Sequence, residues 1–233
     1  TPTATPPSGG WVTIASEDFE GLFPQSGWEA ADYDPSAGEY YWGQRSCRPH
    51  AGANSGWSVG GGSDGLALLC SLPYPNNAFS WLVYGPFSLA DASAAEVQFE
   101  YWNNSELLYD VLFWGASLDN NDFYGYQVSG PNRGWRSETF DLANVQQLGD
   151  LRGQPAVWIG FVFASDESIA LTEGAYLDDI VLRKRVGSAA PAGQSSTPAC
   201  ADLDEASPRA GEGAALLRSC GHFSLRQAPP ASQ

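Results

Sequence analysis

Methionine is absent from this chain of 233 residues, lysine occurs once, at Lys184, and histidine twice, at His50 and His222. Basic groups of any kind are few: 11 Lys plus Arg stand against 27 Asp plus Glu, a formal charge of −16. That balance excludes a chain that seeks nucleic acid or an anionic membrane surface. No apolar run approaches the roughly 18 residues of a membrane-spanning helix. Neither histidine has the HExxH spacing, and no nucleophile-elbow motif occurs, so Ser-His-Asp or zinc-protease chemistry has almost no base to use. Paired carboxylates of a glycosidase stay open among so many acids, but the expectation is a protein that is not an enzyme. The opening Thr1-Pro-Thr-Ala-Thr-Pro-Pro7 has neither methionine nor the order of a secretion signal. It reads as a processed chain or an excised fragment.

The four cysteines, Cys47, Cys70, Cys200 and Cys220, include no CxxC and no Cys/His spacing suited to zinc. Disulfides fit them better than reduced buried thiols do, and they imply an oxidising compartment, extracellular or at the cell surface. Of the three connectivities, nearness in sequence favours Cys47–Cys70 and Cys200–Cys220. Loops of this size contribute about 3 kcal/mol each on the chain-entropy estimate.

What is present is apolar and aromatic. Hydrophobic residues make up 43% and aromatics 13%, enough for a core, while 26 Gly and 16 Pro favour turns over long helices. Composition divides the chain into a Thr/Pro-rich linker or arm (1–10), a body (11–186) holding all nine Trp, and a C-terminal extension (187–233). The extension's four acids and three arginines nearly cancel, so the body carries almost all the net charge. Within the body, runs of period two recur at 11–19, 80–84, 96–102, 110–115, 124–128, 137–142, 156–164 and 175–182, bounded by Gly, Pro, Asn or Asp. Eight such runs with no convincing helix between them predict an all-β fold, a two-sheet antiparallel jelly-roll sandwich. Val157-Trp-Ile-Gly-Phe-Val-Phe163 is apolar on both faces and is expected as a central strand. In the extension, Gly213–Ser219 predicts a short helix within the Cys200–Cys220 loop, and the alternation over His222–Arg226 predicts a strand added to its own sheet or a neighbour's.

The ends of the body carry the most specific pattern: Ser16-Glu-Asp-Phe-Glu-Gly21 with Phe23-Pro24 and Gly27-Trp28, and at the close Gly174-Ala-Tyr-Leu-Asp-Asp-Ile-Val-Leu182. Between them lie Ser80-Trp-Leu-Val-Tyr-Gly-Pro-Phe87, Trp135 leading into Phe140-Asp-Leu142, and Gly153-Gln154. Over about residues 16–183 this order resembles the MAM-like and bacterial choice-of-anchor J extracellular jelly rolls. The resemblance implies a non-catalytic binding or adhesion module, in some cases with a structural calcium ion bridging the first and last strands. The residue chemistry is compatible. Asp18 and Glu20 sit two apart and project from one face, and Asp178 is expected to share a face with Ile180. Three inward carboxylates without a nearby base would repel one another unless a hard cation such as calcium joined them. The alternative is that they cap turns or stay solvated. Asp119-Asn-Asn-Asp122 lacks the Gly and distal Glu of an EF-hand and reads as a polar turn.

Tyr41, Trp42 and Trp57, in loops beside the first cysteine, and Tyr124 after the polar turn are candidates for stacking on sugar rings, or else for folding over the sandwich edge. Asn103-Asn-Ser105 is the single N-x-S/T sequon, which makes Asn103 a candidate glycosylation site. Two functions are expected in consequence. One is a secreted structural or adhesive module that assembles with itself or a cell-surface partner through its tails, as a filament would. The other is a calcium-stabilised carbohydrate-binding module of a larger secreted hydrolase.

Overall fold

The structure, a computed structural model, describes residues 10–168, 173–187 and 216–225. The expected arm and most of the extension, Cys200 included, lie outside the described residues. Twelve strands are described: β1 (Trp11–Glu17), β2 (Trp28–Asp32), β3 (Tyr41–Arg45), β4 (Ser55–Gly61), β5 (Phe79–Phe87), β6 (Ala92–Asn104), β7 (Val111–Ser117), β8 (Asp122–Ser129), β9 (Arg136–Asp141), β10 (Val157–Ala164), β11 (Gly174–Val186) and β12 (Leu217–Ser224). One sheet runs β3-β4-β11-β6-β9 with β1 also on β11; the other runs β12-β8-β7-β10-β5-β2. Every strand pairing is antiparallel. The expected two-sheet antiparallel sandwich is what the chain forms, and each of the eight expected runs lies in a strand to within two residues at its ends.

β10 occupies the centre of the second sheet, as its two apolar faces require. Ile159, Phe161 and Phe163 enter the main core between the sheets with Leu82, Leu112, Trp114, Phe99 and Leu182. Val162 and Ala164 point the other way, into a second apolar cluster with Phe79, Trp81, Phe113 and Phe123. Both faces of this sheet are therefore buried.

β2, β3 and β4 were not expected, because Trp-Glu-Ala-Ala-Asp and a glycine-rich stretch carry little strand signal. The glycines of β4 serve close approach instead: a Cβ on Gly56 would lie 2.4 Å from the Phe19 ring. β12 corrects the expected helix. Leu217–Ser219 is extended and pairs with Val128 and its neighbours on β8, because the docked strand satisfies a ladder that an isolated turn of helix would not. Residues 213–215 lie outside the described residues. The predicted strand at His222 is present, added to the chain's own sheet.

The Cys47–Cys70 disulfide forms, with Cα atoms 5.3 Å apart. Cys220 is disulfide-bonded as well. The first bridge closes an excursion, residues 47–70, that includes β4, whose Trp57 stacks on Tyr176 of β11 with ring centroids 5.8 Å apart. The Arg48 guanidinium lies 3.9 Å over Trp102 and pairs with Glu173 at 3.0 Å.

Candidate metal centre

The expected calcium set does not converge. β1 ends at Glu17, and Phe19, at φ 55 and fully buried, takes the inward seat, which turns Asp18 and Glu20 outward. Asp18 accepts the Glu20 N–H, and Glu20 accepts the N–H groups of Ala53 and Asn54 at 2.8 Å. Asp178 is buried, but a β-bulge between it and Val181, with Asp179 at φ 49, reverses the alternation. Ile180 therefore faces the core, while Asp178 lies opposite Glu100 and receives the N–H groups of His50 and Ala51 at 2.8 and 3.3 Å. Glu20 and Asp178 thus cap the two ends of one loop, 50–54, which is the alternative role weighed for them. The buried acid of β1 is Glu17, whose carboxylate accepts from Phe19 N and the Gln25 amide, and whose pKa burial raises.

The expected sugar-stacking residues are corrected too. Trp42 and Trp57 are strand residues at 0% exposure, and Trp57 Nε1 donates to Glu173 O at 2.6 Å. Their rings belong to the core cluster, because the glycines beside them on β3 and β4 let the two strands approach closely. Tyr41 is half-buried on β3, and Tyr124 stacks on His222 with centroids 4.5 Å apart. Asn103 is fully buried, donating to Ser105 Oγ at 3.0 Å and Gly130 O at 2.9 Å, so its amide is closed to a glycosyl donor in the folded chain. Asp119 Oδ1 accepts the N–H groups of Asn121 and Asp122, which makes 119–122 the polar turn expected of it.

Three other carboxylates come together. Glu106, Asp110 and Asp166 are the one group of three potential metal ligands among the described residues with oxygens all within 4.8 Å of one another. The topology makes the meeting: Val111 of β7 pairs with Ala164 of β10, so the acids just beyond each strand end face each other. Asp110 is fully buried; the Tyr74 hydroxyl donates to one of its oxygens and the Asp166 N–H to the other at 2.8 Å. Burial, only partly offset by those two donors, pushes Asp110 up to about 6. Glu106 is raised by burial and by the charge of Asp166. Its Oε2 is buried and has no hydrogen-bond partner.

The loop that carries Glu106 and Asp110 is held from several sides. Ser129 Oγ donates to Glu106 O at 2.9 Å and accepts from Leu108 N at 2.7 Å, while Ser105 Oγ donates to Asp110 O at 2.8 Å. Leu108 is thereby fixed at φ 78, a region costly for a branched side chain. Leu108 and Tyr109 stand out into solvent, 69% and 55% exposed. An orphaned buried oxygen among three hard donors fits a calcium-type ion, which would satisfy Glu106 Oε2 and offset the mutual repulsion. A proton shared within the cluster would do the same less completely. Sequence reasoning missed this group. The signal was the pair of acids flanking two apolar runs, Asp110 before β7 and Asp166 after β10.

No protein-family model and no curated protein matches the chain. Solved structures that resemble it include the K3 cleaved adhesin domain of Lys-gingipain from Porphyromonas gingivalis W83, at TM-score 0.48 and 17% identity over 73% of this chain and 98% of that one. A family 11 carbohydrate-binding module from Clostridium thermocellum, in complex with a mixed-linked tetrasaccharide, aligns at TM-score 0.43 and 14% identity over 78% and 99% of the two chains. A xylan-binding domain of family 22 aligns at 0.40 and 12% over 79% and 100%. At these scores and identities the function rests on this chain's own residues.

Proposed function

We propose that this chain is a non-enzymatic extracellular β-sandwich module whose work is adhesion, with its rim loop steadied by calcium at Glu106, Asp110 and Asp166. The observation that carries the reading is the Glu106–Asp110 loop: a buried carboxylate anchor beneath two exposed apolar side chains, Leu108 and Tyr109, held in a strained and over-determined conformation. The Cys47–Cys70 bridge supports an oxidising, extracellular setting. No helix among the described residues is long and apolar enough to cross a membrane. His50 faces Asp179 and Glu100, and His222 faces Asp122. Kinship with the MAM-like and choice-of-anchor J sandwiches belongs to the same proposal.

The second reading, a carbohydrate-binding module, is favoured by Tyr109, an exposed ring on the loop that carries Glu106 and Asp110. One experiment addresses both. Labelled protein is applied to cell surfaces, to immobilised protein and to a glycan array, with calcium or with chelator, beside a Leu108→Ser/Tyr109→Ser double variant. Calcium-dependent binding that the double variant loses at unchanged melting temperature supports the module. Binding on the array alone selects the carbohydrate reading, and binding indifferent to both calcium and the substitutions overturns the site.

A further inference from the structure

β12 arrives from the opposite sheet. β11 ends at Val186 in the first sheet, and β12 begins at Leu217 on the edge of the second. No hairpin joins β12 to β8, its ladder partner over eight registered pairs from Leu217↔Ser129 to Ser224↔Asp122. What places it there is side-chain recognition. Phe223 packs on Phe113 at 4.9 Å between ring centroids and reaches Phe79 at 6.2 Å. His222 stacks on Tyr124, and its Nε2 lies 3.1 Å from Asp122 Oδ1. Arg218 makes a two-point contact with Glu138 of β9, at 2.8 and 3.2 Å, and lies 4.6 Å over Tyr126.

We propose that a second copy of this chain can supply that strand, so that Leu217–Ser224 of one copy pairs with β8 of another. The inference rests on the adhesive reading and names a partner for it. Charge favours this occupant. Residues 216–225 carry an arginine, a histidine and no acid, whereas the edge that receives them presents Glu138 and Asp122 on a strongly acidic body. The strand is thus the element through which two bodies that repel one another can meet. Reach is sufficient. A chain of the 30 residues between Val186 and Leu217 can span at most roughly 100 Å, and a Cys200–Cys220 bridge would still leave the 13 residues 187–199, at most roughly 45 Å, against a radius of gyration of about 16 Å for a body of this size. The receiving edge also needs an occupant, since loss of Phe223 would open the buried Phe113 ring to water. Exchange of an identical terminal element meets that need without any new contact surface, and it closes into rings or runs on as a chain.

The test exploits the ion pair. Arg218→Glu and Glu138→Arg variants of the full chain are prepared separately, mixed, and followed by native mass spectrometry across a concentration series. In each variant alone the strand meets a like charge on its own body. In the mixture the opposite charges meet only between chains, so a mixed-mass dimer is expected that neither variant forms alone. If either variant fails to fold, wild-type chain and its isotope-labelled copy are mixed instead, and mixed dimers are expected that fall at least tenfold with Phe223→Ala. Mixtures that stay monomeric throughout overturn the exchange, while calcium-dependent surface binding through Tyr109 would leave the adhesive reading standing. Dimers undiminished by Phe223→Ala also overturn it, and they would assign self-association to another surface.

Discussion

His50 Nδ1 lies 2.8 Å from the Asp179 carboxylate, and its Nε2 lies 3.9 Å from Glu100. The hydrogen bond to Asp179 is the main reason its pKa rises above the ordinary 6.5, with the charges of Glu100, Asp179 and Asp178 adding to it and partial burial opposing. The raised value means that the folded state holds the proton more tightly than the unfolded chain does. The stabilisation is full below the unfolded value and is lost as pH rises through the folded one. The melting temperature, followed with pH on both sides of neutrality, is therefore expected to carry a decline that His50→Gln removes. The ring is more than a third exposed, so the change is small. An identical profile for the variant would show that the pair is screened out.

Asp110 gives a second pH dependence with a different partner. Its pKa is raised from 3.8 to about 6, so in the absence of metal the native state is stabilised by the neutral form, and stability falls as pH climbs from about 4 through 6. In chelator at pH 7.5, Asp110→Asn is expected to stabilise by about 1–3 kcal/mol, because it removes a buried charge that its two donors offset only in part. With calcium the sign reverses. The wild type gains stability from the ion, and the variant, lacking a ligand, does not. Differential scanning calorimetry in calcium and in chelator reads both signs at once; a wild-type melting temperature indifferent to calcium would remove the ion from the site.

How far the sequence foretold this arrangement depends on whether a feature is local. β10 could be read directly, since seven consecutive residues apolar on both faces have few homes besides a central strand. The positions of Asp18, Glu20 and Asp178 could not, because each depends on a backbone irregularity that period-two counting does not register: the positive φ at Phe19 and the bulge at Asp179. Trp42 and Trp57 lay among glycines that read as turns but serve as close-packing strand positions, which put core rings in apparent loops. Asp110 and Asp166 are 56 residues apart. Their meeting is a property of β7–β10 pairing that no spacing in one chain announces.

Asn103 tests the inside of the sheet. Its amide donates to Ser105 Oγ and Gly130 O in a fully buried setting. Replacing it with Asp exchanges two donors for a charge with no compensating base among its described partners, and urea denaturation is expected to show a loss of about 3 kcal/mol or more. Expression in a glycosylating eukaryotic host is expected to yield folded protein of unmodified mass. A glycan found on Asn103 of the folded chain would contradict its burial.

Arg45 holds the disulfide-closed excursion from within. Its Nη1 donates to Gly60 O and Gly65 O, each at 3.1 Å, and its Nη2 to Leu68 O. The same guanidinium lies 5.6 Å from the Trp57 ring centroid. The planar fork satisfies three carbonyls in fixed directions, which a single ammonium cannot do. Arg45→Met is expected to keep the stem packing while leaving those carbonyls short of donors, at a cost of about 2–4 kcal/mol. Arg45→Lys should recover only part of it. The Cys47–Cys70 bridge, worth about 3 kcal/mol by loop closure, acts on the same segment from its other end. Losing both clamps should therefore cost more than the two single losses together, since either alone still holds the stretch from Gly60 to Cys70. Hydrogen exchange at the amides of Gly65, Leu66 and Leu68 reads the difference directly. Protection that survives Arg45→Met with the bridge reduced would mean that the excursion is held by neither.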